Sequence, residues 1–232
     1  MVLYQSDDGY CFNSDTIFLY DFITQFPLSG KVLDVGAGCG VLGLLVARDN
    51  PKIDLEAVEI QTEMAKFAKK NAQANEIPYH LYETDFLSFV SQKKYDAIIS
   101  NPPFYHDGVQ KTQNPVIHKA RYNEHLPIDA FFRKVKQLLK PRGRFLFCYD
   151  ESQLQHLLVA LEKVKLTVED IRFVHPKKEK KASLVMIHAR ESSKSYMKIH
   201  SPLIAFEQGE FSAEAQAIYQ KAKTESVKCK IS

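Results

Sequence analysis

The sequence has little that would hold a metal, cross a membrane or direct export. Its four cysteines, Cys11, Cys39, Cys148 and Cys229, lie far apart, and no pair has the C-x-x-C spacing of a zinc or redox site. The eight histidines are likewise dispersed, without the H-E-x-x-H pattern of a metal-binding helix. Free thiols and a protein without metal are expected. The longest strongly apolar run, Val41 to Ala47, falls far short of the roughly 20 residues a membrane-spanning helix needs. The first residues carry Asp7 and Asp8 in place of a basic stretch followed by an apolar one, so no signal peptide is expected. Internal repeats and low-complexity linkers are missing too. Together these absences lead to the expectation of a cytoplasmic protein with no membrane partner.

What is present points to an α/β domain. At 232 residues and 45% hydrophobic content the chain can bury a sizeable core. Between residues 30 and 150, short β-branched runs alternate with longer stretches at helical spacing, which predicts a parallel sheet with crossover helices. Strands are expected at Lys31–Val35, Ile53–Ile60, Tyr79–Glu83, Tyr95–Ser100 and Gly143–Tyr149, with helices near 40–49, 61–74, 127–139 and 151–164. Upstream, Asp15 to Phe26 reads as a helix with an apolar face, started by Asn13 or Ser14 as N-cap. Pro141-Arg142-Gly143 is expected to end a helix and turn into a strand. Leu166–Phe173 and Ala182–Ala189 then predict an antiparallel hairpin at the sheet edge. Residues 1–195 read as the main domain with an N-terminal helix, and 196–232, with a polar helix near Ser212–Ala222, as a peripheral extension.

Charge is unevenly spread. Residues 1–170 hold 19 Lys and Arg against 22 Asp and Glu, whereas 171–232 hold 12 against 6. Within the hairpin connection, Lys177, Lys178, Lys180 and Lys181 surround Glu179. Such a cluster attracts a phosphate backbone, and it equally suits a solvated, solubilising loop.

The segment Asp34-Val35-Gly36-Ala37-Gly38-Cys39-Gly40 is a strand running into a glycine-rich turn before a helix, where open α/β sheets bind ligands. Gly38-x-Gly40-x-x-Gly43 also satisfies the dinucleotide pattern, with Glu59 placed to bind a ribose, so a nicotinamide oxidoreductase is open on this loop alone. Asp34 shifts the balance. A carboxylate at the strand end would repel a pyrophosphate but suits the ammonium and sulfonium of S-adenosylmethionine, although it could instead cap the turn. Glu59 can accept from ribose hydroxyls, and Asp85 from an adenine amino group or as a helix cap.

The most informative feature is Asn101-Pro102-Pro103-Phe104, directly after the strand Tyr95–Ser100. The prolines stiffen the backbone and remove N–H donors, leaving Asn101 and the Pro102 carbonyl as two acceptors for one amino group. Accepting both N–H bonds of an exocyclic base nitrogen helps localise a lone pair that is otherwise delocalised into the ring. Positioning and electrostatics then carry methyl transfer. Phe104 can stack on an extruded base.

With these residues in place, the chain resembles the amino-methyltransferases of the N6-adenine type, over residues 12 to 150. Within them, Phe12-Asn13-Ser14-Asp15-Thr16-Ile17-Phe18-Leu19 resembles the tRNA (adenine-N6)-methyltransferases related to the enzyme acting on valine tRNA. The resemblance implies a Rossmann-like methyltransferase fold, with a mostly parallel seven-stranded sheet, a C-terminal antiparallel hairpin and helices on both faces. It further implies S-adenosyl-L-methionine as cofactor, S-adenosyl-L-homocysteine as product, and RNA as partner, with tRNA foremost and an adenine beside the anticodon as target. By it, Asp34, Gly36, Gly38, Gly40, Glu59 and Asp85 fall on the cofactor, with Asp15 closing over it, and Asn101, Pro102, Pro103 and Phe104 on the target base. Relatives often carry Ala-Arg-His-Glu after the catalytic loop. Here Ala120-Arg121-Tyr122-Asn123-Glu124 keeps Arg121, an expected RNA contact, and lacks the histidine. Tyr105 to His125 is long for a connection and is expected to form a substrate lid. Guanine N2 in ribosomal RNA, protein glutamine, DNA adenine and a non-catalytic RNA-binding module stand as alternatives.

Overall fold

The computed structural model describes residues 1–7, 12–102 and 126–230. In chain order these form β1 (Val2–Ser6), α1 (Ser14–Thr24), β2 (Gly30–Val35), α2 (Val41–Asp49), β3 (Ile53–Glu59), α3 (Thr62–Ala74), β4 (His80–Glu83) and β5 (Tyr95–Ser100). After the undescribed stretch come α4 (Ile128–Leu138), β6 (Leu139–Tyr149), α5 (Leu154–Lys163), β7 (Leu166–His175) and β8 (Leu184–Glu191). The chain ends with β9 (Lys198–Ile199), β10 (Leu203–Ile204), β11 (Phe206–Glu207), β12 (Glu210–Phe211), α6 (Ala213–Ala222) and β13 (Glu225–Cys229).

The main sheet runs β4-β3-β2-β5-β6-β8-β7, and only β8 is antiparallel to its neighbours. Central strands of such a sheet are covered on both faces and therefore read as continuous apolar runs. Val32, Leu33 and Val35 of β2 and Ala97, Ile98 and Ile99 of β5 are all buried. From β2 the chain works outward to β3 and β4, then returns to place β5 on the other side of β2. This reversal leaves a crevice at the carboxyl ends of β2 and β5. Register levels those ends, because Val35 pairs with both Val58 and Ser100. The Ser100 hydroxyl ties them further by donating to the Val35 carbonyl at 2.7 Å.

α4 backs this edge. Ile128, Phe131, Phe132, Val135 and Leu138 recur at helical spacing and are buried. They pack on Phe145 and Phe147 of β6, whose rings stack at 4.4 Å. Each such buried ring contributes about 2–3 kcal/mol by area removed from water, so the strand that carries Cys148 directly after Phe147 is firmly held.

Several sequence expectations need adjustment. The sheet has nine strands among the described residues, not seven, because β9 and β10 both pair with β7. β6 begins at Leu139 and runs through Pro141 to Gly143, so those residues do not form a separate turn. The pairing absorbs them by a register shift opposite Tyr95, with Arg142 at a φ of 64°. Asn13 is the N-cap of α1 but makes no side-chain cap bond; its Nδ2 donates to Asp15 at 2.7 Å instead.

The C-terminal residues run back over the body. β13 pairs in parallel with β1, and Ala215, Ile218 and Ala222 of α6 are buried. His200 Nε2 and His188 Nδ1 each sit within hydrogen-bond distance of Asp170, at 2.8 and 2.9 Å, linking the segment after β9 to the β7–β8 hairpin. Among the described residues no helix is long and apolar enough to cross a membrane.

Candidate active site

A cleft at the β2–β5 crevice is lined by Phe12, Thr16, Asp34, Gly36, Gly38 and Asn101, among others. Gly36 and Gly38 adopt φ of 68° and 56°, the left-handed region that disfavours side chains. A Cβ added at either would meet nothing within 4 Å, so both glycines face open space at the cleft. That is the cradle a ligand needs if it is to approach backbone closely.

Asp34, the penultimate residue of β2, is 1% exposed, and its Oδ2 accepts from the Gly43 N–H in the first turn of α2 at 3.0 Å. Both readings of this acid therefore meet in one residue: it bonds the start of the helix and it lines the cleft. Burial pushes its carboxyl up to about 7, against the lowering effect of the Gly43 bond, with the charge of Glu59 adding to the rise. The contact explains Gly43, where a Cβ would stand 2.7 Å from Asp34 Oδ2. Glu59 accepts from Gly38 N–H and Gln61 N–H, both at 2.8 Å, so it pins the glycine loop to the end of β3. Burial raises its carboxyl too, and the backbone donors only partly offset this.

The other expected cofactor residues separate. Gly40 is the left-handed N-cap of α2, and its Cα faces Ala68 of α3 and Leu44, where a Cβ would stand 3.2 Å from each side chain. Its demand is helix packing. Asp85 accepts from Leu87 N–H, Ser88 N–H and the Ser88 hydroxyl, so it caps its own turn with both oxygens. Asp15 is half-buried and bonded to Asn13, and burial raises its carboxyl above the usual range. Two buried polar atoms, Asn13 Oδ1 and Tyr79 Oη, have no hydrogen-bond partner among the described residues. Asn13 is bonded to Asp15, and Tyr79 feels the carboxyls of Asp34 and Glu59. An unsatisfied buried hydroxyl beside the two acids that flank the glycine loop fits a polar ligand there.

Asn101 lines the same cleft from the end of β5, followed by buried Pro102. Pro103, Phe104 and Arg121, and the lid expected over Tyr105 to His125, lie outside the described residues. Lys177, Lys178, Lys180 and Lys181 are exposed in the β7–β8 loop. Because β7 runs parallel to the central strands, this loop emerges at the same sheet edge as Asn101. At ~4.8 Å per strand it stands about 10–14 Å along that edge. Lys181 reaches Glu151 after β6 at 3.6 Å.

The sequence from residue 13 to residue 174 matches the family described as the methyltransferase small domain. The chain belongs to that family. Its members are S-adenosylmethionine-dependent methyltransferases, which removes the nicotinamide oxidoreductase left open by the glycine pattern. One relative, the tRNA1(Val) (adenine(37)-N6)-methyltransferase of Aliivibrio fischeri, is 36% identical over 121 residues, covering 50% of each chain. Another, the ribosomal RNA small subunit methyltransferase C of Vibrio cholerae, is 40% identical over 84 residues, covering 36% of this chain and 24% of that one. The chain thus spans about half the length, or less, of these curated relatives. Among solved structures, a predicted O-methyltransferase from Agrobacterium tumefaciens superimposes with a TM-score of 0.69 over 92% of this chain and 99% of that one, at 17% identity. That likeness confirms the Rossmann-like fold alone.

The sequence reading missed Thr16 and Cys148. Thr16 touches Asn101, and its nearness to Asp15 in the N-terminal segment was the available signal. Cys148, in an apolar strand, gave none.

Proposed function

We propose that this chain transfers a methyl group from S-adenosylmethionine to an exocyclic amino nitrogen of an RNA base, with adenine N6 in a tRNA near the anticodon as the foremost substrate. The observation that carries the reading is that Asn101 lines the cleft that also contains Gly36, Gly38 and Asp34. A methyl acceptor held by Asn101 therefore lies beside the cofactor cradle.

When bound, the cofactor supplies a methyl group on a sulfonium. Asp34 supplies negative charge to the cationic methionine end, Glu59 keeps the glycine loop in place and offers its remaining lone pairs to ribose hydroxyls, and Gly36 and Gly38 leave room for close approach. Asn101 Oδ1 and the Pro102 carbonyl accept from the two N–H bonds of the target nitrogen. The nitrogen so held would take the methyl group that the cofactor supplies and give up its proton to water, with Asn101 and Pro102 keeping it in place. Phe104 stacks on the base, Asp15 closes over the cofactor, and Arg121 with Lys177, Lys178, Lys180 and Lys181 holds the RNA backbone. Residues 1–195 form the catalytic unit, and 196–232 brace it through β9 and β10 on β7 and through β13 on β1.

Similarity to relatives named for tRNA and for ribosomal RNA supports a nucleic-acid substrate. The test is transfer of labelled methyl to RNA from a strain lacking the activity, followed by nucleoside analysis. N6-methyladenosine in tRNA is expected. Label in ribosomal guanosine would move the substrate while keeping the chemistry, and label confined to protein glutamine would reject RNA.

A further inference from the structure

The Asn101 side chain is gripped at both ends. Its Nδ2 donates to Thr16 Oγ1 of α1 at 2.9 Å, and its Oδ1 accepts from the thiol of Cys148 in β6 at 3.1 Å. The three residues come from separate elements: Thr16, 6% exposed, lines the cleft beside Asn101, and Cys148 is 0% exposed and outside the cleft lining. Burial pushes the Cys148 thiol well above its usual range, with the Asp15 carboxylate adding to the rise, so the sulfur keeps its proton.

The two grips do different work. A hydroxyl donates or accepts with equal ease, so Thr16 would hold an amide turned either way. A protonated thiol offers a donor, and its sulfur is a poor partner for an amide N–H. Cys148 therefore selects the orientation with oxygen toward it. This matters because the two ends of an amide are opposite in hydrogen-bonding sense: a flipped Asn101 would present N–H to the N–H of an incoming amine and repel it.

We propose that Thr16 and Cys148 are positioning residues that lock the Asn101 amide, so that its oxygen and not its nitrogen is offered to the substrate amino group. The proposal rests on Asn101 as the amine acceptor. The carbonyl oxygen has two lone pairs; Cys148 occupies one, and the other serves the substrate.

The test compares Cys148→Ala, Cys148→Ser and Thr16→Val with Asn101→Ala, reading kcat and KM for RNA, cofactor affinity by calorimetry, and thermal unfolding. Cys148→Ala and Thr16→Val are expected to lower kcat about five- to tenfold, the loss of one positioning hydrogen bond, with KM for RNA unchanged, and Cys148→Ala, outside the cleft lining, to leave cofactor affinity unchanged as well. Cys148→Ser keeps a donor and is expected within about twofold of wild type. A packing role reverses that order, since a small apolar side chain suits this buried place better than a hydroxyl. In protein without substrate, the Asn101 side-chain amide protons are expected to exchange slowly with solvent, and Thr16→Val to remove that protection.

The proposal is overturned if Asn101→Ala is inactive while Cys148→Ala and Thr16→Val keep wild-type kcat, or if alanine at 148 outperforms serine. If Asn101→Ala itself retains activity, the functional reading fails first and takes the proposal with it.

Discussion

Replacing Asp34 by Asn separates what this acid costs the fold from what it contributes to the cleft. In the folded protein burial, only partly offset by the Gly43 bond and reinforced by Glu59, pushes the carboxyl up to about 7, against an ordinary value of 3.8. Between those values the folded chain holds a proton that the unfolded chain has released. The stability this group contributes is therefore fully present below about pH 4 and is lost as pH rises through about 7. At pH 8 the difference amounts to about 4 kcal/mol of destabilisation from ionising Asp34 in place. Asn has the same shape, carries no charge and still offers an oxygen to Gly43. Without cofactor, Asp34→Asn is expected to be more stable than wild type at pH 8 by up to about 4 kcal/mol, and nearly equal to it at pH 4. Urea unfolding at both pH values measures this. With S-adenosylmethionine the order reverses, because the ligand's positive charges lose their partner and its affinity falls at least ~10-fold. A variant no more stable than wild type at pH 8, with cofactor affinity intact, would refute the reasoning on both counts.

Other perturbations probe separate parts of the account. Gly43→Ala drives a Cβ against Asp34, 2.7 Å from its Oδ2, and is expected to cost about 1–3 kcal/mol in denaturant unfolding and to weaken cofactor binding. Replacing Lys177, Lys178, Lys180 and Lys181 together by Gln is expected to weaken RNA binding with little dependence on sequence, leave cofactor affinity unchanged, and flatten the salt dependence by ~0.7 per lost phosphate contact. Filter binding across a salt series reads both. Asp170→Ala removes the partner of His188, which is 1% exposed, and of His200. It is expected to cost about 2–3 kcal/mol in unfolding with kcat unchanged.

The central sheet was legible because its strands are buried on both faces and read as apolar runs between glycine and proline punctuation. β2 and β5 fall within a residue of their expected limits. The boundary at Leu139 was not, because Pro141 and Gly143 signal a turn locally while pairing with β5 draws them into a strand through a register shift. β1 and β13 were unreadable for a related reason: each is short, and their parallel pairing joins residues from opposite ends of the chain. At the site, Gly36, Gly38, Asp34 and Asn101 were found because their spacing is local and tied to strand ends. For Asp85 and Gly40 the same kind of signal has a local cause, a capped turn and a packed helix. Cys148 escaped notice because its meaning lies wholly in a contact across the sheet with a residue 47 positions away.

The most direct test of the account is nucleoside analysis of RNA incubated with labelled S-adenosylmethionine and either the native chain or its Asn101→Ala variant. The account predicts a base methylated on its exocyclic nitrogen with the native chain, and none with the variant despite normal cofactor binding. The same methylated base at the same rate from both would contradict it.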